Sequence, residues 1–294
     1  MIKKTKLARS IALVVAGSAL TIGAVSTAAA APSATYYNTF TTPAASFTDG
    51  WTRIADTNND GYGTGPESQG NKGLIVAWAG TTGNKLPFGY VGSSHLNWAA
   101  MINNAGDSLE ISGADSLARY GFDAEIDTGA GAWLDDTGTG WKHQTDIGLV
   151  KSAVTQKVTI NLTTLGSINN NFGVTVFTGM DTNTGNYSHH GRWNCPTCTT
   201  PVPFEKENPF GTTGLAFMKY DASVDSTNSI SFTALADQVY SIYLGGNGVG
   251  SWSQNVAGYK LNLSTSPVPV PGAVWLFGSA LAGVLGLRRR KQAI

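Results

Sequence analysis

Three of the four histidines in this chain lie in two places where their spacing could build a metal site. His143 stands two residues after Trp141, and His189 and His190 are adjacent. Residues two apart in a strand point to the same face, so Trp141 and His143 would project together, whereas His189 and His190 would point to opposite faces. Imidazole nitrogen is a good ligand for copper and zinc. The residues predict a metal site joining His143 to one of the adjacent histidines; a hydrogen-bonded strand histidine and a solvated turn are the alternative.

The two cysteines, Cys195 and Cys198, are separated by two residues close to the adjacent histidines. In an exported protein a local disulfide is the expected state of such a pair. It would pin the irregular, proline-rich loop 194–210. The alternative is a soft-metal site in which both thiolates and one of the adjacent histidines bind copper(I) or zinc.

A third candidate site places oxygen ligands at alternate positions. Asp56, Asn58 and Asp60 precede Gly61, and Glu67 occupies the twelfth position of the segment. This spacing is typical of a calcium-binding loop, in which a glycine allows the turn. The sequence therefore predicts a calcium site here, and an Asx-rich turn that needs no ion is the alternative.

Three carboxylates, Asp123, Glu125 and Asp127, alternate along one predicted strand face. Paired carboxylates perform glycoside hydrolysis, and the Glu-Ile-Asp segment is similar to a motif of the laminarinase-like hydrolases. That family needs a further glutamate where Gly129 and Ala130 stand. An amphipathic strand explains the pattern without catalysis. The sequence also lacks a nucleophile elbow and a phosphate loop, so we expect no enzymatic activity.

Short strands must position these residues, because apolar side chains recur with a period of two between Gly, Thr, Ser and Asn turns. We also expect a strand from Trp141 to Val150, and we find no helical periodicity in the body of the chain. The sequence predicts an all-β fold, a single jelly-roll-like β-sandwich over residues 31–266. The clearest alternating segments are Val158–Leu162, Phe172–Val176, Ile230–Phe232, Tyr240–Ile242 and Tyr259–Leu263.

The N-terminal residues 1–30 have the pattern of a signal peptide. A basic start precedes the apolar segment Ile11–Ala24, and Ala28–Ala30 supplies small residues for cleavage. The basic residues are Lys3, Lys4, Lys6 and Arg9. The pattern predicts export through the Sec translocon.

The C-terminal residues 267–294 contain a short proline motif, an uncharged apolar run of 16 residues at Gly272–Leu287 and the basic cluster Arg288–Lys291. The run is at the lower limit for a transmembrane helix, and the basic cluster would hold its end in the cytoplasm. The arrangement resembles the PEP-CTERM sorting signal, although Val270 stands where that family usually has glutamate. The motif comprises Val268, Pro269, Val270 and Pro271.

The PEP-CTERM resemblance implies that an exosortase cuts near the proline motif. The chain would be anchored transiently in the inner membrane before processing and would then reach the cell surface, the outer membrane or the medium. Of the 19 Lys and Arg residues, four lie in the leader and four in the basic tail, whereas all 19 Asp and Glu residues lie between them. The body therefore has 11 positive and 19 negative residues, a net charge of −8, which argues against nucleic acid as a partner.

The region from Trp141 to Thr265 resembles the MopE/CorA type of surface copper-binding proteins of methanotrophs. The resemblance is carried by the following segments: Trp141–His143, Phe177–Asp181, Ser188–Gly191, Tyr240–Asn247 and Gly258–Leu261. In that family two histidines and a kynurenine, formed by oxidation of the tryptophan in Trp-x-His, hold copper. An indole N–H can only donate a hydrogen bond, whereas opening the ring yields an amine with a lone pair.

Carried over, this resemblance implies that copper, as copper(I), is bound by kynurenine from Trp141, by His143 and by His189 or His190. It implies a non-catalytic, exported copper-binding protein. The alternative is a structural or adhesive matrix protein. It would bind extracellular polysaccharide through exposed aromatic residues, for which the candidates are Trp51, Trp98 and Trp252.

Overall fold

The fold is all-β, as the sequence predicts. The computed structural model of the chain describes residues 31–40, 50–54, 74–91, 95–134, 136–141, 144–166, 171–183, 192–193 and 213–268. In chain order the described strands are β1 (Ala34–Asn38), β2 (Arg53–Ile54), β3 (Leu74–Ile75), β4 (Trp78–Ala79), β5 (Trp98–Ile102), β6 (Ser108–Ile111), β7 (Asp127–Thr128), β8 (Gly140–Trp141), β9 (Asp146–Ser152), β10 (Gln156–Thr164), β11 (Phe172–Asn183), β12 (Arg192–Trp193), β13 (Thr213–Val224), β14 (Ile230–Ala234), β15 (Val239–Gly246) and β16 (Ala257–Pro267).

The strands form two large sheets and two short ladders. The seven-stranded sheet has the order β13-β11-β15-β9-β5-β1-β4 and is antiparallel except for the β5–β9 pair. The five-stranded sheet has the order β14-β10-β16-β6, and β7 also pairs with β16. The short ladders are β2–β3 and β8–β12.

The two large sheets pack face to face and enclose the main core. Its side chains come from alternate positions, because successive residues in a strand point to opposite faces. On β10, Val158, Ile160 and Leu162 are fully buried, and burial of each such side chain contributes about 1.5–3 kcal/mol. The predicted β-sandwich is therefore confirmed.

The outer face of the seven-stranded sheet is also buried. Leu149, Phe177 and Tyr243 lie on it and belong to a second apolar cluster. Trp133 and Tyr90, from connecting segments, belong to the same cluster. Because both faces are covered, the seven-stranded sheet provides a rigid floor for the segments packed on its outer side.

One α-helix, α1 (Gly113–Tyr120), corrects the expectation that the body lacks helix. The Ser112 side chain caps its N-terminus by accepting from the amide of Asp115 at 3.0 Å. Gly121 ends it with a φ of 79°. The helix has only eight residues, too few to show a clear period in the sequence.

The expected strand from Trp141 to Val150 is also wrong. β8 ends at Trp141 and pairs with β12, whereas β9 begins at Asp146 within the seven-stranded sheet. Among the described residues no helix is long and apolar enough to cross a membrane. The apolar run Gly272–Leu287 lies outside the described residues.

Candidate functional site

The β8–β12 ladder joins the two histidine-bearing segments of the chain. Trp141 pairs with Arg192, and Gly140 pairs with Trp193, in antiparallel register. The pairing brings the start of the Trp-x-His motif next to the residues that follow the adjacent histidines. The sequence alone did not reveal this pairing. The predicted ligands His143, His189 and His190 lie outside the described residues.

Trp133 forms the support beneath this ladder. A Cβ atom on Gly140 would lie 2.1 Å from the Trp133 carbonyl oxygen, so β8 packs against this backbone as only glycine permits. The buried Trp133 indole donates to Thr175 Oγ1 at 3.0 Å, and its ring stacks on Tyr220 with centroids 5.9 Å apart. A Cβ on Gly173 would lie 1.9 Å from the same ring. The ladder therefore lies over the outer face of the seven-stranded sheet.

A buried carboxylate lies near the end of β11, a few residues before the adjacent histidines. Asp181 is 2 % exposed, and Tyr90 Oη donates to its Oδ2 at 3.2 Å. Burial of a carboxylate is costly without hydrogen bonds, so the tyrosine stabilises it there. This bond ties β11 to the segment that covers the outer face of the sheet.

A second buried carboxylate, Asp146, stands three residues after His143 in the sequence. Tyr259 Oη donates to Asp146 Oδ2 at 2.6 Å, and Trp98 Nε1 donates to Tyr259 Oη at 3.1 Å. The chain of bonds joins β9, β16 and β5 across the sandwich. Sequence reasoning missed it, although a single aspartate at the head of an apolar strand was a usable signal.

The three alternating carboxylates line a cavity of about 470 Å³ beside the start of α1. Asp123 is exposed, whereas Ala124 and Ile126 are buried, so the amphipathic pattern is present, but only Asp127 lies in a strand. Burial and then the nearby Glu125 carboxylate raise the pKa of Asp127 to about 6. Among the described residues, no group of three or more His, Cys, Asp or Glu residues could hold a metal ion.

Two of the three tryptophans proposed to bind carbohydrate are buried. Trp51 and Trp98 are 1 % and 0 % exposed, so the expectation that they form an exposed platform is wrong. Both sit among strands, where their large side chains fill the interior. Trp252 is partly exposed.

The remaining predicted sites lie outside the described residues. They are the calcium loop of Asp56, Asn58, Asp60 and Glu67, the Cys195–Cys198 pair, and the sorting-motif residues Pro269, Val270 and Pro271. Val268 is the last described residue and directly follows β16.

Two solved structures are similar to this chain. One is described as CorA, a surface-associated copper-binding protein important in Methylomicrobium album BG8 copper acquisition; it is 14 % identical, with 56 % of this chain and 98 % of that chain covered and a TM-score of 0.30. The other is mercury-soaked MopE, a Methylococcus capsulatus secreted protein in which an oxidized tryptophan facilitates copper binding; it is 10 % identical, with 57 % and 87 % covered and a TM-score of 0.27. Because both identities and both TM-scores are low, these structures assign no ligand residue in this chain.

A search of the curated proteins gives no match. The family model of the PEP-CTERM protein-sorting motif matches residues 267–291, which confirms the sorting signal predicted from the sequence. This chain therefore carries a PEP-CTERM protein-sorting motif at its C-terminus.

Proposed function

We propose that this chain is an exported, surface-directed copper-binding protein without catalytic activity. Its ligands are His143, one of His189 and His190, and the amine of a kynurenine formed from Trp141. The observation that carries the proposal is the antiparallel pairing of Trp141 with Arg192. It makes neighbours of two segments that are about 50 residues apart in the sequence.

Only one of the adjacent histidines is needed for the site. Neighbouring residues of an extended segment point to opposite faces, so one of His189 and His190 would face the metal and the other would not. Residues two apart share a face, so Trp141 and His143 would project together. We therefore propose that one of His189 and His190 completes the site with them.

The chemistry of these ligands supports copper(I). Two imidazoles and an aromatic amine are neutral nitrogen ligands, which suit copper better than calcium or magnesium. The apolar cluster around Trp133, on which Gly140 packs, would limit the access of water to the neighbouring metal. When bound, copper would supply a soft cationic centre, and the protein would hold it without a reaction step.

The test is metal analysis of the protein purified from its native host as wild type and as two matched variants. One of the variants His189→Ala and His190→Ala should lose tight copper binding and the other should retain it, because adjacent residues of an extended segment present opposite faces. Loss of copper in both variants, or in neither, would contradict a single ligand from this pair. If copper never binds the wild type, the proposed function is wrong.

The kynurenine is tested on the same material. Mass spectrometry of the peptide containing Trp141 should detect an oxidised residue, and Trp141→Phe should weaken copper binding. An unmodified tryptophan with full copper content would remove the third ligand from the proposal.

The sorting motif at residues 267–291 supports the proposal that this chain is exported. We propose that the Sec translocon exports the chain, that Gly272–Leu287 anchors it transiently in the inner membrane, and that an exosortase then cuts near Pro269–Pro271. The acidic body would then stand at the cell surface.

A further inference from the structure

The N-terminal end of the described body is fixed to one turn at the end of the sandwich. Asn103 donates from its Nδ2 to the Pro32 carbonyl at 2.8 Å and from its backbone amide to Ser33 Oγ at 2.8 Å. Ser33 Oγ donates to the Asp107 carboxylate. The chain that follows the leader therefore enters the fold at the turn 103–107.

The C-terminal strand leaves the fold at the same turn. The backbone amide and the hydroxyl of Thr265 donate to the Asp107 carbonyl at 3.1 and 2.9 Å. Pro267, the last residue of β16, lies opposite Gln156, the first residue of β10. The first and the last described residues of the body thus lie at one end of the sandwich, which we call the termini end.

The termini end also exposes apolar side chains. Leu235 is 55 % exposed, Val268 is 38 % exposed and Val154 is 37 % exposed. Val154 and Leu235 belong to touching turns, because the amide of Ala236 donates to Thr155 Oγ1 at 3.1 Å. Val268 directly follows Pro267. The register puts all three residues at the same end of β10, β14 and β16, and we call them the apolar rim.

We propose that the termini end is the surface that contacts the lipid bilayer while the chain awaits processing, with the apolar rim of Val154, Leu235 and Val268 inserted at the interface. Gly272, where the apolar run begins, is four residues after Val268, a span of at most about 14 Å. The body cannot move farther than this from a membrane that holds the run. Exposed apolar side chains at that distance are stabilised by burial among the lipids.

The termini end carries charges of both signs. Lys157 is exposed there, and Lys151 pairs with the exposed Asp237 at 3.5 Å. The apolar rim and the short connection to Gly272 therefore carry the inference, without a contribution from charge. The inference rests on the membrane stage proposed above and is independent of copper.

The test uses photocrosslinking in the full chain reconstituted into vesicles of phosphatidylethanolamine and phosphatidylglycerol. The probe is Leu235→p-benzoylphenylalanine. Its matched control is Leu165→p-benzoylphenylalanine, because Leu165 is 58 % exposed and follows the opposite end of β10. We expect lipid adducts at position 235 and none at position 165. The adducts are detected by mass spectrometry of vesicles recovered by flotation.

The outcomes separate the inference from its premise. Flotation of the chain without lipid adducts at position 235, or equal adducts at both positions, would overturn the inference alone. A chain that does not float with the vesicles would overturn the membrane stage and the inference with it. Adducts at position 235 to an exosortase instead of lipid, in native membranes, would assign the rim to a protein and refute the bilayer contact.

Discussion

Asp127 should lower the stability of the fold at neutral pH, and its removal should therefore stabilise the protein. Burial and the neighbouring Glu125 carboxylate raise its pKa from 3.8 to about 6 in the folded state. The folded state then binds more protons than the unfolded state between these two values. Stability is highest below the unfolded pKa and falls as the pH rises towards the folded pKa.

The shift sets the size of the effect. A difference of one pKa unit corresponds to about 1.4 kcal/mol, so ionisation of Asp127 costs at most about 3 kcal/mol above the folded pKa. The side chain keeps some contact with solvent, which screens part of this cost. We expect Asp127→Asn to raise the free energy of unfolding by about 1–3 kcal/mol at neutral pH and to change it little below about pH 4.

Urea unfolding followed by tryptophan fluorescence, at acidic and at neutral pH, measures both values. The control is Asp123→Asn, which removes an exposed carboxylate from the same cavity wall and should have a much smaller effect at neutral pH. A stabilisation of Asp127→Asn that is equal at both pH values would refute the electrostatic reasoning. A destabilisation at neutral pH would show that the carboxylate has a structural role.

Two further predictions concern packing and ion binding. Gly173→Ala should destabilise the fold by about 1–3 kcal/mol, because overpacking forces neighbours to move and the new Cβ would lie 1.9 Å from the Trp133 ring; Gly258→Ala, with its nearest atom at 3.5 Å, is the control in thermal melts. If the loop from Asp56 to Glu67 binds calcium, a hundredfold excess of the ion over its Kd should stabilise the protein by about 2.7 kcal/mol. Chelation should then lower Tm in the wild type but not in Asp60→Ala, and identical wild-type melts with and without chelator would leave the loop a plain turn.

The sequence predicted the sandwich because strand alternation is a local signal. Val158, Ile160 and Leu162 alternate with polar residues, and in the fold they are buried as expected. The helix α1 was missed even though Ser112 and Gly121 are readable start and stop residues. Because the helix has only eight residues, its capping residues were a better signal in the sequence than its hydrophobic periodicity.

The candidate site was less accessible to sequence reasoning, because its geometry depends on pairing between distant segments. Nothing in the residues around Trp141 indicates that Arg192 lies opposite. Composition likewise cannot separate a buried tryptophan from an exposed one, which is why Trp51 and Trp98 were misjudged. The long strand expected from Trp141 to Val150 is interrupted before Asp146, where β9 begins in a different sheet.

The position of β16 has a consequence for the order of events during secretion. It is the last of the described strands, yet it lies between β10 and β6 in the five-stranded sheet. A chain emerging N-terminus first therefore cannot close this sheet until the residues just before the sorting motif have emerged. Only chains that extend to that motif can complete the sheet. A prematurely terminated product would therefore lack both the β16 strand and the sorting motif. The topology thus couples completion of the fold to completeness of the chain.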